Sequence, residues 1–156
     1  MSERIRLRPV TGPAEYPRLV EIWASAVQAT HDFLTGADRE RIQAVLASEY
    51  FPQVRLTVAQ LDGVPVGFSG TAHGVLEMLF VQAEHRGAGI GGALLHHAIA
   101  TQAVSAVDVN EQNTQALGFY LASGFEVASR SERDAQGLAY PLLHLRLPGV
   151  PETSQP

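Results

Sequence analysis

Residues 85–92 read HRGAGIGG, between the apolar stretches LEMLFV and ALLHHAIA. Glycines at 87, 89, 91 and 92 point to chemistry done by backbone. A glycine-rich turn from a strand into a helix leaves several N–H groups without helical partners, and the helix dipole there favours an anion. Glycine also removes the Cβ atoms that would hold a phosphate away. Two phosphate ligands suit the stretch. Counted from Gly87 it is G-x-G-x-x-G, the dinucleotide fingerprint, with Asp108 about 20 residues on where a ribose-binding acid belongs. Counted from Arg86 it is R-x-x-G-x-G, which points to a different cofactor.

Seven more residues are candidates for chemistry. Tyr120 is a possible proton or hydrogen-bond donor, and it also shares a helix face with Ala116 and Leu117, as a core aromatic would. Asn113 lies seven residues earlier, at a position that also suits a helix N-cap. Asp108 lies within AVDVN (106–110), where Val107 and Val109 share one face and Asp108 and Asn110 the other. It reads either as a base or as a solvated acid. His31, beside Asp32, interrupts two helical stretches, and Tyr140 precedes the last strand. Glu77 and Glu84 flank one strand as further carboxylates.

Composition narrows the chemistry. The chain has no cysteine, which excludes a thiol nucleophile, thiolate metal sites and disulfides. The six histidines show no metal-binding spacing; His96 and His97 are adjacent and diverge by about 100° on a helix. No metal is therefore expected. The formal charge of −5, without a basic run, argues against a nucleic-acid partner. No apolar run approaches the about 18 residues needed to span a bilayer, and the charged, alternating N-terminal stretch lacks a signal-peptide core. A cytoplasmic protein without membrane partners, monomeric or homodimeric, is the expectation.

The elements that must position these residues follow from periodicity. Residues 5–9 alternate as a strand, and Tyr16, Leu19, Val20, Trp23, Ala26 and Val27 mark one side of a helix. Thr35 and Asp38 introduce a second helix, carried by 39–50. Strands at 56–61 and 64–71 flank Asp62-Gly63, a hairpin signal. A strand follows at 75–81, a helix at 91–103, a strand at 106–110, a helix at 114–123 stopped by Gly124, and strands at 125–131 and 142–147. Residues 148–156 read as a disordered tail. This is α/β (α+β): a single domain, 1–147, with a mixed, mostly antiparallel sheet of about seven strands and about four helices. A dinucleotide-binding unit starts with parallel crossovers and needs more of them downstream. Here a hairpin comes first and only 65 residues follow Gly91.

The element order, Arg86-x-x-Gly89-x-Gly91, the Asn113–Tyr120 interval and GFYLASGF (118–125) together resemble the Gcn5-related N-acetyltransferase (GNAT) superfamily over residues 4–147. ATHDFL, NEQN and YPLLHL further resemble one bacterial subgroup of it. The resemblance implies acetyl-CoA as cosubstrate, with Arg86, Gly87, Ala88, Gly89, Ile90 and Gly91 around its pyrophosphate. It implies a splayed parallel pair, 75–81 and 106–110, whose Leu79, Phe80 and Val81 backbone meets pantetheine and the acetyl oxygen. Asn113 then contacts the cofactor, Tyr120 assists the leaving thiolate, Asp108 or His31 serves as base, and His31 and Tyr140 lie on the acceptor side. Without cysteine, the acetyl group passes directly to an amine in a ternary complex. Reference values test these roles. Phenol at about 10 against thiol at about 8.5 makes full proton transfer uphill by about 2 kcal/mol, while a carboxylate deprotonating an ammonium is uphill by about 9 kcal/mol. The acceptor is an amine of a protein, at lysine or the N-terminus, or of a small molecule. A CoA-binding regulator without turnover is the reading from another class.

Overall fold

Asp62 and Gly63 both take positive φ, 51° and 86°, and Leu61 pairs with Val64 across them. This is the two-residue turn whose twist matches the flanking strands. A second one follows at His73 and Gly74, φ 55° and 79°, closing Ala72 onto Val75. The computed structural model describes residues 5–30, 33–134 and 137–149. They form two compact units, one ending at Val104 and the other starting at Ser105.

In the first unit, β1 (Ile5–Pro9), β2 (Arg55–Leu61), β3 (Val64–Ala72) and β4 (Val75–Val81) pair antiparallel in that order. Its two faces are covered by different helices. From α1 (Tyr16–Thr30), Leu19, Ile22, Trp23 and Val27 pack with Leu56, Val58 and Phe68. From α3 (Ile90–Gln102), Ile90 and Leu94 pack with Ala59, Leu61 and Val66. The neighbours Val58 and Ala59 thus serve opposite faces, as strand alternation requires.

The second helix differs from the expected 39–50. Thr35 caps it, accepting the Asp38 N–H at 3.1 Å, so α2 spans Gly36–Val45. Residues Leu46–Tyr50 then widen into a π-helical turn. α2 itself buries nothing, whereas Leu46 and Phe51 are 2% and 1% exposed. The extra residue in the turn brings both into the core, and Pro52 prevents a regular continuation.

Gly67 fixes how closely α3 lies on the sheet. A Cβ there would stand 3.1 Å from Ile90 Cγ2 and 3.1 Å from the Phe80 carbonyl oxygen. Gly67→Ala should therefore lower stability by about 1–3 kcal/mol through overpacking. Denaturant unfolding checks this, and because Ile90 is the first residue of α3, weaker acetyl-CoA binding should accompany the loss.

In the second unit, β7 (Leu142–Arg146) runs between β5 (Ala106–Asn110) and β6 (Glu126–Ser131), antiparallel to both. Val107, Val109, Leu143 and Leu145 are buried, leaving Asp108 and His144 on the opposite face. α4 (Thr114–Ala122) follows β5 and is ended at Gly124, φ 103°. The described residues thus hold seven strands and four α-helices, in the expected order. Among them no helix is long and apolar enough to cross a membrane.

Candidate active site

The glycine loop is pinned at both ends and exposed between them. At its start, the Gln82 N–H donates to the Val66 carbonyl at 2.8 Å, and the Ala83 N–H to Ser25 Oγ at 3.0 Å. Arg18 ties the same corner by donating to Pro65 O at 2.7 Å and Gln82 Oε1 at 2.9 Å. At its end Ile90 is 1% exposed within the core. Its side chain is structural, so only its backbone can serve a ligand.

Between these anchors Arg86, Gly87, Ala88 and Gly89 are exposed. Gly87 and Gly89 have φ of 84° and 85°, which side-chain-bearing residues rarely adopt, and no protein atom lies within 4 Å of a Cβ built on either. Gly89 is the N-cap of α3, and no side chain caps that helix. Gly92, in the first turn, is exposed and also has open space around a built Cβ. Nothing in the protein requires glycine there, although it weakens a helix by about 1 kcal/mol against alanine. Arg86 forms no ion pair among the described residues. An uncapped helix start, free of side chains and beside an unpaired guanidinium, fits a pyrophosphate.

Leu79, Phe80 and Val81 lie on β4, where Phe80 pairs with Phe68 of β3. Phe80 packs against the α1 side, its ring 5.7 Å from that of Phe68, and Leu79 and Val81 pack against the α3 side. Their side chains are core. Any chemistry there belongs to the backbone.

The second unit positions the other candidates. Asn113 caps α4 with its side chain, Oδ1 accepting the Ala116 N–H at 3.2 Å. The N-cap role that the sequence allowed for Asn113 is thus filled by its side-chain oxygen. Tyr120 is 6% exposed, with its ring edge-on to Phe119 and Phe125 at 5.1 and 5.9 Å. Burial pushes its phenol well above the ordinary tyrosine range, so the hydroxyl stays protonated and can donate. Tyr140 is also buried. His31 lies outside the described residues.

Asp108 is not simply solvated. It lies opposite His144 in register, and Asp108 Oδ1 is 2.6 Å from His144 Nδ1. His144 Nε2 lies 2.7 Å from Ser131 Oγ. A carboxylate only accepts, so Nδ1 carries the proton and, in the neutral ring, Nε2 accepts from the Ser131 hydroxyl. Neither His144 nor Ser131 stood out in the sequence. The available signal was PLLHL, where His144 falls on the face opposite Leu143 and Leu145. Glu77 and Glu84 are exposed. Among the described residues no group of three or more metal-ligating side chains is arranged to hold a metal ion.

Residues 26–143 match the family model described as an acetyltransferase (GNAT) domain. The chain is 44% identical over 135 residues to the peptidyl-lysine N-acetyltransferase YjaB of Salmonella typhimurium, covering 86% of this chain and 92% of that protein. The solution structure of the apo form of YjaB from Escherichia coli superposes with a TM-score of 0.85 at 39% identity, over 94% of this chain and 99% of that one. A PaiA N-acetyltransferase from Thermoplasma acidophilum, solved in complex with coenzyme A, shares the fold with a TM-score of 0.71 at 17% identity, over 92% and 99%.

Proposed function

The chain belongs to the GNAT acetyltransferase family, and from that premise we propose that it acetylates the Nζ of lysine in a peptide or protein. The observation that carries this reading is the 44% identity to a peptidyl-lysine N-acetyltransferase over 86% of the chain. The family match at 26–143 spans most of the single domain taken as 1–147. The net charge of −5 suits a cationic acceptor in its approach. Affinity for the polyanionic donor then comes from the local loop.

Acetyl-CoA supplies an acetyl group already activated as a thioester. The chain's own residues do the rest. The backbone of 87–91, with Arg86, holds the pyrophosphate. The backbone of 79–81 orients the arm and polarises the acetyl carbonyl, a role in which one N–H donor is worth about 2.7–4 kcal/mol. Asn113 sets the start of α4 and with it the direction of Tyr120, and Tyr140 lines the acceptor side. Burial makes Tyr120 a poorer acid than the reference phenol. It therefore acts by donating a hydrogen bond to the departing sulfur and keeps its proton. For proton acceptance the sequence offers Asp108 and His31.

All 11 basic residues are arginine, and the chain contains no lysine. It therefore has no Nζ of its own to modify. Thiol release should accordingly depend on an added acceptor. Assayed with acetyl-CoA, a lysine peptide with a blocked N-terminus should give a kcat/KM at least about tenfold above an arginine-substituted peptide and free small amines. Turnover on a small amine alone would move the assignment to small-molecule acetylation. Tight acetyl-CoA binding without turnover on any acceptor would favour the regulatory reading.

A further inference from the structure

We propose that Arg18 and Ser25 of α1 are positioning residues for the cofactor, holding the backbone of 86–91 ready for a pyrophosphate. The inference rests on the acetyltransferase reading above and names the groups that prepare its donor site. Arg18 and Ser25 are seven residues apart, two turns along one side of α1, and both are half-buried. Arg18 Nε and Nη2 both donate to the Pro65 carbonyl, at 3.1 and 2.7 Å. Nη2 also donates to Gln82 Oε1 at 2.9 Å, and Nη1 to Glu21 Oε1 at 3.1 Å. Ser25 Oγ accepts the Ala83 N–H at 3.0 Å. One side of α1 thus grips the first two residues after β4, where the loop begins.

An irregularity in β3 supplies the socket. Ala59 of β2 pairs with Gly67 and Gln60 with Pro65, so Val66 is an extra residue, a β-bulge. Consecutive residues Val66 and Gly67 accordingly both face α3. Val66 packs with Ile90 and Leu94, and a Cβ on Gly67 would meet the same two side chains. A bulge breaks the ladder and leaves backbone groups to be satisfied elsewhere. Arg18 satisfies the Pro65 carbonyl, and the Gln82 N–H satisfies that of Val66 at 2.8 Å. The Ala83 N–H opens a 3-10 turn, Ala83–His85, whose N-cap Gln82 turns its amide oxygen to Arg18 and caps nothing. Ser25 supplies the missing acceptor.

Beyond these contacts the loop holds itself weakly. The Arg86 N–H reaches the Ala83 carbonyl at 3.3 Å and the Ala88 N–H that of His85 at 3.4 Å, while 86–89 are exposed. Gly87 and Gly89 add conformational freedom that a ligand must quench on binding. An anchored exit from β4 lowers that cost, so its loss weakens binding of the pyrophosphate part of the donor. The backbone of 79–81 keeps its place differently, paired with 67–69 of β3. The grip therefore acts on one end of the donor and not on its thioester end.

The test compares two donors on a lysine peptide: acetyl-CoA, and S-acetylpantetheine, which carries the same thioester and arm without the pyrophosphate. Arg18→Met keeps the apolar stem and removes the donors. It should lower the kcat/KM preference for acetyl-CoA over the truncated donor about tenfold, with the KM for peptide kept. Coenzyme A affinity by calorimetry should fall by a similar factor. Ser25→Ala should weaken that affinity about threefold, and Ser25→Thr, which keeps an Oγ, should restore it. Unchanged coenzyme A affinity in Arg18→Met overturns the proposal. An equal loss with both donors overturns it too, because the contacts would then only stabilise the fold. If Arg18→Met does not fold, Ser25→Ala beside Ser25→Thr decides on the same readouts. A wild type that binds coenzyme A but acetylates no peptide removes the acetyltransferase reading, and calorimetry on the variants still tests the grip.

Discussion

Tyr120→Phe should lower kcat roughly 100-fold while acetyl-CoA affinity changes less than about threefold. The substitution removes one oxygen and keeps a ring packed against Phe119 and Phe125, so the fold should survive. The size and selectivity of the effect follow from when the hydroxyl matters. Thiolate charge develops only in the transition state, so a donor aimed at it contributes to kcat and little to ground-state binding. Burial keeps that hydroxyl protonated, and a desolvated donor interacts more strongly with developing charge than one in water. Steady-state kinetics with calorimetric acetyl-CoA titration separates the possibilities. Equal losses in affinity and turnover would make Tyr120 a structural aromatic.

Gly89→Val should abolish measurable acetyl-CoA binding, a loss of at least about 100-fold. Two physical effects combine. A β-branched residue at φ 85° is strained by roughly 1–3 kcal/mol, which will reshape the N-cap of α3. Its side chain would also occupy the space open to the ligand, since no protein atom lies within 4 Å of a Cβ there. That same openness means the core is not overpacked, so unfolding should remain cooperative with only a modest loss in midpoint. Calorimetry with coenzyme A checks this, and unchanged affinity would contradict the loop's role.

What was legible in the sequence is what local physics decides. Asp62-Gly63 specified its turn because only certain residues accept two positive φ values in succession, and Thr35 announced its cap by chemistry. The three- and four-residue recurrence along α1 named Leu19, Trp23, Ala26 and Val27 before any packing was seen, and it left out Ile22, which is buried with them. The glycine loop was legible for the same reason. The contact of Asp108 with His144 was not. Asp108 and His144 are 36 residues apart, and their meeting depends on which strand lies beside β5, which no local pattern encodes. The capping role of the Asn113 side chain was half visible: the residue type was right, but its oxygen has one direction and the sequence allowed two. Likewise Gly67 looks unremarkable until α3 is placed on it. The π-helical turn at 46–50 escapes periodicity because it exists to change the period, rephasing Leu46 and Phe51 toward one core.

The central claim, direct passage of acetyl from acetyl-CoA to a lysine Nζ, is tested most directly by a labelled single turnover. The enzyme is mixed with excess acetyl-labelled acetyl-CoA, quenched before and after addition of a lysine peptide, and both chains are mapped by mass spectrometry. The lack of lysine makes the enzyme's own signal clean. The account predicts no label on the enzyme at any time and label on the peptide's Nζ as soon as the peptide is present. Label that appears first on the enzyme and then chases onto the peptide would contradict direct transfer.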